Sequence, residues 1–541
     1  MRKTRLLLPT ALGLLSPLAV AAADLSSPAL RQYISKEPQS AISQFSDLQP
    51  SDWAYQALST LVERYGCVAG YPNGGFNGSR AISRYEAAAL LNACLDRITE
   101  HTDTLRRLLQ EFQRELAGLR GRVDGLEAKV GELEATRFST TTKLTGLATF
   151  VLGGNSFGGT GTGALQQEAR AVEGGTSFNY DLRLTLDTSF SGKDLLRTQL
   201  RAGNFAGSGF GGQATVGSNQ AALGLNQLEV AFQEDCGPTA DCRNVLAVQR
   251  LYYQLPIGAG FTATVGGKVR QDDMLAFWPS VYPSDTLLDA FTYAGAPGAY
   301  NSNLGPGLGL WWKGGNWSVS ANTIAGNGSD GSPASGGIAN ANAAQTSTLQ
   351  LGYSQKQLGL AAVYTASQGV GVASGTPFAV LSSSGIASRV LGLGTSTMQS
   401  LGLSGYWQPQ QSGWLPSISM GWGLNTYSEQ DSALSFNRMQ SQSWFVGLQW
   451  NDVLRNGNKA GMAVGQPTFV TRCGDGCDQR PQDGQYAWEW WYSLQVSDAI
   501  TITPSIFYLS NMLGQVSKQD TGNSAASLSD LGAFVKTSFR F

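Results

Sequence analysis

Across residues 91–133 the apolar side chains return in steps of three and four: Leu91, Leu95, Ile98, Leu105, Leu109, Phe112, Leu116, Leu119, Val123, Leu126, Val130 and Leu133, broken at Thr102. A repeat of seven kept up for about six heptads predicts a coiled coil rather than a helix lying on a domain. With Leu105, Phe112, Leu119, Leu126 and Leu133 at d, and Leu109, Leu116, Val123 and Val130 at a, the g residues Glu115, Arg122 and Lys129 face Arg120, Glu127 and Glu134 at e of a neighbour. Each pair is opposite in sign, as a parallel homo-oligomer requires.

From Lys143 onward the period falls to two. Phe178, Tyr180, Leu182, Leu184 and Leu186 alternate with Asn179, Asp181, Arg183, Thr185 and Asp187. A strand with one apolar and one charged face separates lipid from water. Short turns at 191–194, 256–258, 313–316, 355–357, 409–416, 451–458 and 497–498 alternate with long Gly, Ser and Asn-rich loops near 153–176, 204–244, 271–305, 326–345, 368–397, 428–440, 472–484 and 510–531. Strands are expected to begin near residues 143, 177, 195, 245, 260, 306, 316, 346, 358, 398, 416, 441, 459, 485, 500 and 532. The pattern predicts a mainly β protein with a sixteen-stranded antiparallel transmembrane β-barrel over residues 138–541. A further alternating stretch, residues 225–233, would put the loop after residue 271 on the short-turn side if it were a wall strand, so it is assigned to the second long loop.

Ahead of the heptads, residues 45–95 form a compact unit with one helix through Trp53 and Leu61, a glycine-rich turn, and a second helix starting at Ser83. Glu86, three residues after Ser83, has the capping-box spacing. Before it, residues 24–44 read as a polar leader, and residues 1–23 as a secretory signal peptide cleaved after Ala23. The coiled coil occupies residues 96–137.

Composition narrows the chemistry. Charged residues make up 14% of the chain, below the roughly 25% of ordinary soluble proteins. The net charge of −2 gives no sign of nucleic acid as a partner. No segment offers the run of about 18 apolar residues that a membrane helix needs, so a membrane location requires a barrel. In an exported chain the near pairs Cys67 with Cys94, Cys236 with Cys242 and Cys473 with Cys477 read as local disulfides. His101 is the only histidine, so zinc or iron ligation and His-dependent catalysis are not expected, nor is a cofactor or an enzymatic role.

The order of Phe-Ser-Asp, Asp52-Trp53-Ala54, Gly70-Tyr71-Pro72 with Gly74 and Phe76, and Ser83-Arg84-Tyr85-Glu86 resembles an S-layer homology module, although Ser83 and Tyr85 depart from its usual Thr-Arg-Ala-Glu signature. That resemblance implies binding of peptidoglycan or a linked wall polysaccharide through Asp52, Trp53, Gly70, Tyr71, Arg84 and Glu86. The alternative is that Arg84 and Glu86 fix the helix start and Trp53 is core. One copy of a module that usually acts in groups gains multivalency from an oligomer. The third long loop, the hairpin around residues 177–205 and the final hairpins resemble the carbohydrate-selective (OprB-type) porin family, and the terminal AFVKTSFRF resembles the signal read by the barrel assembly machinery. Module, coiled coil and barrel together resemble cyanobacterial outer-membrane porins of the iron-uptake type. That resemblance implies a homotrimer in outer-membrane lipid, with the N-terminal module in the periplasm, passing small hydrophilic solutes (inorganic ions including iron, or sugars). A structural tether between membrane and wall is the alternative.

The third loop is expected to fold inward as a constriction. Arg270, Asp272, Asp273, Asp285 and Asp289 would oppose Arg183, Arg197, Arg201 and Arg250 of the wall and orient polar solutes. The other reading is that these loop charges are solvated or pin the loop. Trp278, Tyr282 and Phe291 suit either a sugar track or packing within the loop.

Overall fold

The computed structural model describes residues 48–65, 82–95, 103–117, 141–234, 243–285, 287–384, 396–411, 413–429, 439–472 and 481–541. The chain divides into two compact units, Met1–Arg137 and Phe138–Phe541. The expected signal peptide and leader, Gly70, Tyr71, Cys67, Cys236, Cys242, Cys473, Cys477 and the heptads beyond residue 117 lie outside the described residues; Cys94 is disulfide-bonded.

In the first unit α1 (Trp53–Tyr65), α2 (Arg84–Leu95) and α3 (Asp103–Glu111) surround one apolar core. Helical hydrogen bonding runs on past α3, with Leu116 N donating to Phe112 O at 2.9 Å. The capping box forms as the spacing predicts: Ser83 N donates to Glu86 Oε2 at 2.8 Å and Glu86 N to Ser83 Oγ at 3.2 Å. Over residues 105–116 the heptad positions have other partners than the expected seam. Leu105 and Phe112, assigned to an intersubunit seam, are buried against Leu58, Leu90 and Leu91 of their own chain, and Leu109 and Leu116 pack on the same core. Glu115, assigned to Arg120 of a neighbour, pairs with Arg84 Nε at 2.7 Å. The apolar stripe is the same in either case; the first helices claim it because an intramolecular partner is always at hand.

The second unit is a closed antiparallel barrel of sixteen strands. They are β1 (Thr142–Thr160), β2 (Ser177–Thr188), β3 (Leu195–Gly203), β4 (Ala247–Gly258), β5 (Phe261–Arg270), β6 (Leu304–Gly314), β7 (Trp317–Ala325), β8 (Gln345–Ser354), β9 (Leu358–Gln368), β10 (Ser396–Trp407), β11 (Ser417–Glu429), β12 (Met439–Asn451), β13 (Lys459–Arg472), β14 (Ala487–Gln495), β15 (Ile500–Leu509) and β16 (Ser527–Arg540). Each expected strand is present, and β1 pairs with β16 to close the wall. Period-two patterning does the sorting: in β8, Leu349 and Leu351 face outward, exposed, while Thr348 and Gln350, which alternate with them, are buried on the lumen side. Both ends of the barrel chain lie at the short-turn rim, where Phe541 O accepts from Gly146 N at 2.7 Å.

The first long loop begins later than its glycines suggest. Gly153, Gly154, Gly158 and Gly159 belong to β1, and a Cβ on Gly153 would overlap Phe534 of β16. Glycine here lets β1 approach the backbone of the neighbouring strand closely at Ala533 and Phe534. The loop itself carries α4 (Gly163–Glu173), the fifth loop α5 (Pro377–Ser384) and the eighth α6 (Gln515–Thr521).

Candidate functional site

The third loop, which runs from the end of β5 to the start of β6, crosses the lumen and is fastened to strand after strand. Gln271 Nε2 donates to Ala299 O at 2.8 Å and to Thr348 Oγ1 at 2.5 Å, and Ala276 N donates to Ser320 Oγ at 2.9 Å. Ser404 Oγ and Ser443 Oγ reach the carbonyls of Ala294 and Gly295 at 2.7 and 2.8 Å. On the far side Tyr282 OH donates to Glu489 Oε1 at 2.7 Å, Leu288 N to Glu489 Oε2 at 2.9 Å, and Lys536 Nζ to the Asp285 carbonyl. Small hydroxyls suit this wall because they satisfy loop carbonyls and amides that would otherwise be buried unpaired.

The segment 294–300 approaches the wall at van der Waals distance. Gly295 sits at φ +78°, and a Cβ on Gly421 would overlap the Ala294 carbonyl oxygen. Trp278 packs on Tyr300 with ring centroids 4.9 Å apart, and Tyr282 and Phe291 are buried. These aromatics are therefore packing within the folded loop, not an open sugar track.

The second loop is the part of the site that the sequence did not announce. Its alternating stretch lies off the wall, as expected, but it comes into the lumen and bridges the third loop: Leu228 pairs with Leu288, with Glu229 N donating to Leu287 O at 3.1 Å and Asp289 N to Gln227 O at 3.0 Å. Glu229 is thereby brought to the wall arginines. Arg183 Nη2 meets Glu229 Oε2 at 3.1 Å and Arg183 Nε meets Asp181 Oδ2 at 2.7 Å, while Arg201 Nε takes Asp181 Oδ1 at 2.5 Å.

The expected facing rows, loop acids against wall arginines, hold at one place only. Arg250 pairs with Asp273 at 2.6 Å. Arg183 and Arg201 are instead matched by Asp181 and Glu229, and Arg197 by Asp187 at 2.7 Å. Arg270 binds Asp272, two residues along its own chain. Arg540 stands 4.0 Å from Asp285, and Tyr293 OH donates to Asp289 Oδ2 at 2.6 Å. Antiparallel register explains the wall pairs, because Arg183 lies opposite Arg201 and Asp187 opposite Arg197, so a cation can find its acid without the loop.

The loop carboxylates are tuned by this setting. Burial works against Glu229, yet the guanidiniums of Arg183 and Arg201 hold it below its ordinary value. Lys536 and Arg540 lower Asp285 against the opposing effect of burial. Burial pushes Asp289 up to about 6, with Glu229 adding repulsion. Asp181, Asp187, Glu229, Glu489, Lys536 and Arg540 were not singled out from sequence. Strand alternation alone places Glu489 inward, since Trp490 beside it is exposed on the lipid face.

In the N-terminal module Arg84 also donates to Glu111 Oε1 at 2.9 Å and lies 5.2 Å from the centre of the Phe112 ring, and Glu86 caps its own helix. Asp52 Oδ2 accepts from Gln49 N at 2.8 Å. Trp53 is exposed beneath the Arg107 guanidinium, 4.7 Å from its ring.

A closed sixteen-stranded barrel whose lumen is crossed by a charged, inward-folded loop is the construction of an outer-membrane porin. The chain belongs to the carbohydrate-selective porin, OprB family, which it matches over residues 99–526; residues 44–88 match the S-layer homology domain. It is 34% identical over 515 residues, 89% of this chain and 83% of the relative, to an uncharacterized protein of Nostoc sp.. Over 138 residues, 24% of this chain and 11% of the relative, it is 32% identical to the outer membrane protein SlpA of Deinococcus radiodurans. Among solved structures it is similar to OprB of Pseudomonas putida, with a TM-score of 0.45 and 11% identity across 74% of this chain and 94% of the other. The protein is an outer-membrane channel for passive diffusion of solutes, not an enzyme, and carries a module of the wall-anchoring type.

Proposed function

We propose that the barrel passes small inorganic ions, iron salts among them, with sugars as slower cargo, and that the N-terminal module ties the outer membrane to peptidoglycan. The observation that carries the ionic reading is the cluster of Arg183, Arg201, Asp181 and Glu229, fixed charges of both signs held together inside the barrel between the wall and the inward-folded loops. Such a site replaces part of an ion's hydration shell, whereas a sugar gains most from exposed aromatic faces. Among the described residues of the module, Trp53 is the candidate side chain best presented to a wall polymer, with Asp52 beside it; Arg84 and Glu86 act through the fold. The heptads beyond residue 117 gather the chains into a parallel oligomer, a trimer in this reading, so that single modules act together.

The test is conductance in planar bilayers together with liposome swelling in salts and sugars. Stepwise conductance with faster entry of salts than of sugars of similar size is expected. A folded oligomer that binds wall sacculi but gives no conductance steps would replace this reading with a structural tether. The apolar packing of Phe205, Phe210, Leu225 and Leu228 inside the barrel is the feature favouring that second reading.

A further inference from the structure

We propose that the long-loop end of the barrel holds a hard divalent cation, calcium by the chemistry of its donors, between Glu173 of α4, Asp530 of β16 and Asn226 of the second loop. Three distant stretches of chain meet here: Asn226 Nδ2 lies 2.6 Å from Glu173 Oε2 and 3.5 Å from Asp530 Oδ2. All three residues are sealed from solvent, at 2%, 0% and 0% exposure for Glu173, Asp530 and Asn226. The groups acting on Glu173 are its own burial, the Asn226 amide and the backbone of Ala214; those on Asp530 include Glu173 and Asn226. Two buried carboxylates thus face one another across an amide.

Each member of the cluster keeps one oxygen without a partner: Glu173 Oε1, Asp530 Oδ1 and Asn226 Oδ1. Asn226 is the independent sign of a ligand, since a neutral, fully buried carboxamide oxygen has no reason to stay unpaired beside two acids. Exchanging its oxygen and nitrogen, which have the same shape, turns that oxygen toward both carboxylates.

A cation converts the repulsion between the acids into attraction and gives every orphaned oxygen a partner. Oxygen-only donors select calcium or magnesium over zinc or copper. The bound ion fastens the first and second loops to the last strand. Affinity is expected in the range of about 0.1 to 1 mM, typical of extracellular calcium sites.

The experiment takes the full-length protein in detergent, stripped with a chelator and titrated with calcium chloride by calorimetry, with thermal unfolding in parallel. Calcium should bind and raise the unfolding midpoint. Glu173→Gln and Asp530→Asn, which remove charge but not bulk, should fold without calcium, weaken binding at least about tenfold, and need correspondingly more calcium for the same rise in midpoint. The proposal is overturned if the wild-type chain takes up no calcium, if both variants bind as it does, or if its midpoint follows pH across neutrality but not calcium chloride.

Discussion

Tyr282 and Glu489, separated by more than two hundred residues in sequence, are joined at 2.7 Å across the lumen, and the same carboxylate takes the Leu288 amide at 2.9 Å. One inward acid on β14 thus holds two points of the third loop. Glu489→Ala leaves the buried Tyr282 hydroxyl proton and the buried Leu288 amide without their acceptor, each costing about 1–3 kcal/mol, while Trp491 Nε1 still donates to the Tyr282 oxygen. The loop should loosen. Single-channel recordings are expected to show larger or noisier steps than the parent; identical steps would mean the serine contacts hold the loop unaided.

Gly421→Ala disturbs the same loop from the wall side. Its new methyl would overlap the Ala294 carbonyl oxygen, which no small rotation of a side chain can relieve because both partners are backbone. Segment 294–300 should be displaced, with easier protease cleavage in the third loop and an altered conductance, while the barrel still folds.

Selectivity should respond with a definite sign. Arg183→Ala removes the partner of Glu229 and one of the two partners of Asp181, leaving excess negative charge in the constriction. Reversal potentials in a salt gradient are expected to move toward cations by a few-fold in permeability ratio, and Glu229→Gln should move them the other way.

Asp289 supplies a pH test. Its carboxyl is pushed up to about 6 by burial, so between pH 7 and 5 it gains a proton and the constriction loses negative charge. Anion preference should rise across that interval, and Asp289→Asn should flatten the step. For stability the sign is the usual one for a raised carboxylate: the folded chain holds the proton more tightly than the unfolded one. Its contribution is complete below the ordinary value near 3.8 and is lost as the pH rises through about 6.

In the N-terminal module two substitutions should separate fold from binding. Arg84→Ala strands Glu115, whose side chain is 4% exposed; the exposure of Arg84 itself, 21%, tempers the loss to about 1–3 kcal/mol. Limited proteolysis should detect it. Trp53→Ala removes an exposed ring and should leave the fold intact while weakening retention by wall sacculi.

The wall was legible because lipid on one side and water on the other impose a period of two that no other constraint overrides. Sixteen starts could be placed from alternation and turn residues, and the deviation at β1 arose where glycine answers to a neighbouring phenylalanine, Phe534, rather than to a turn. The constriction was half legible. The acidic, aromatic third loop stood out, but which acid meets which arginine depends on cross-strand register, as for Asp187 and Arg197, and on a second loop folding inward, as for Glu229. Heptad spacing did not reveal that Leu105 and Phe112 belong to an intramolecular core, because both fates require the same stripe.

Because the third loop is tied to β8 at Gln271, to β10 and β12 at Ala294 and Gly295, and to β14 and β16 at its other end, it behaves as a cross-beam as well as a filter. Such ties give lateral pressure from the surrounding lipid a route from one side of the wall to the other. Substitutions that free the third loop should therefore alter both the passage and the resistance of the barrel to flattening.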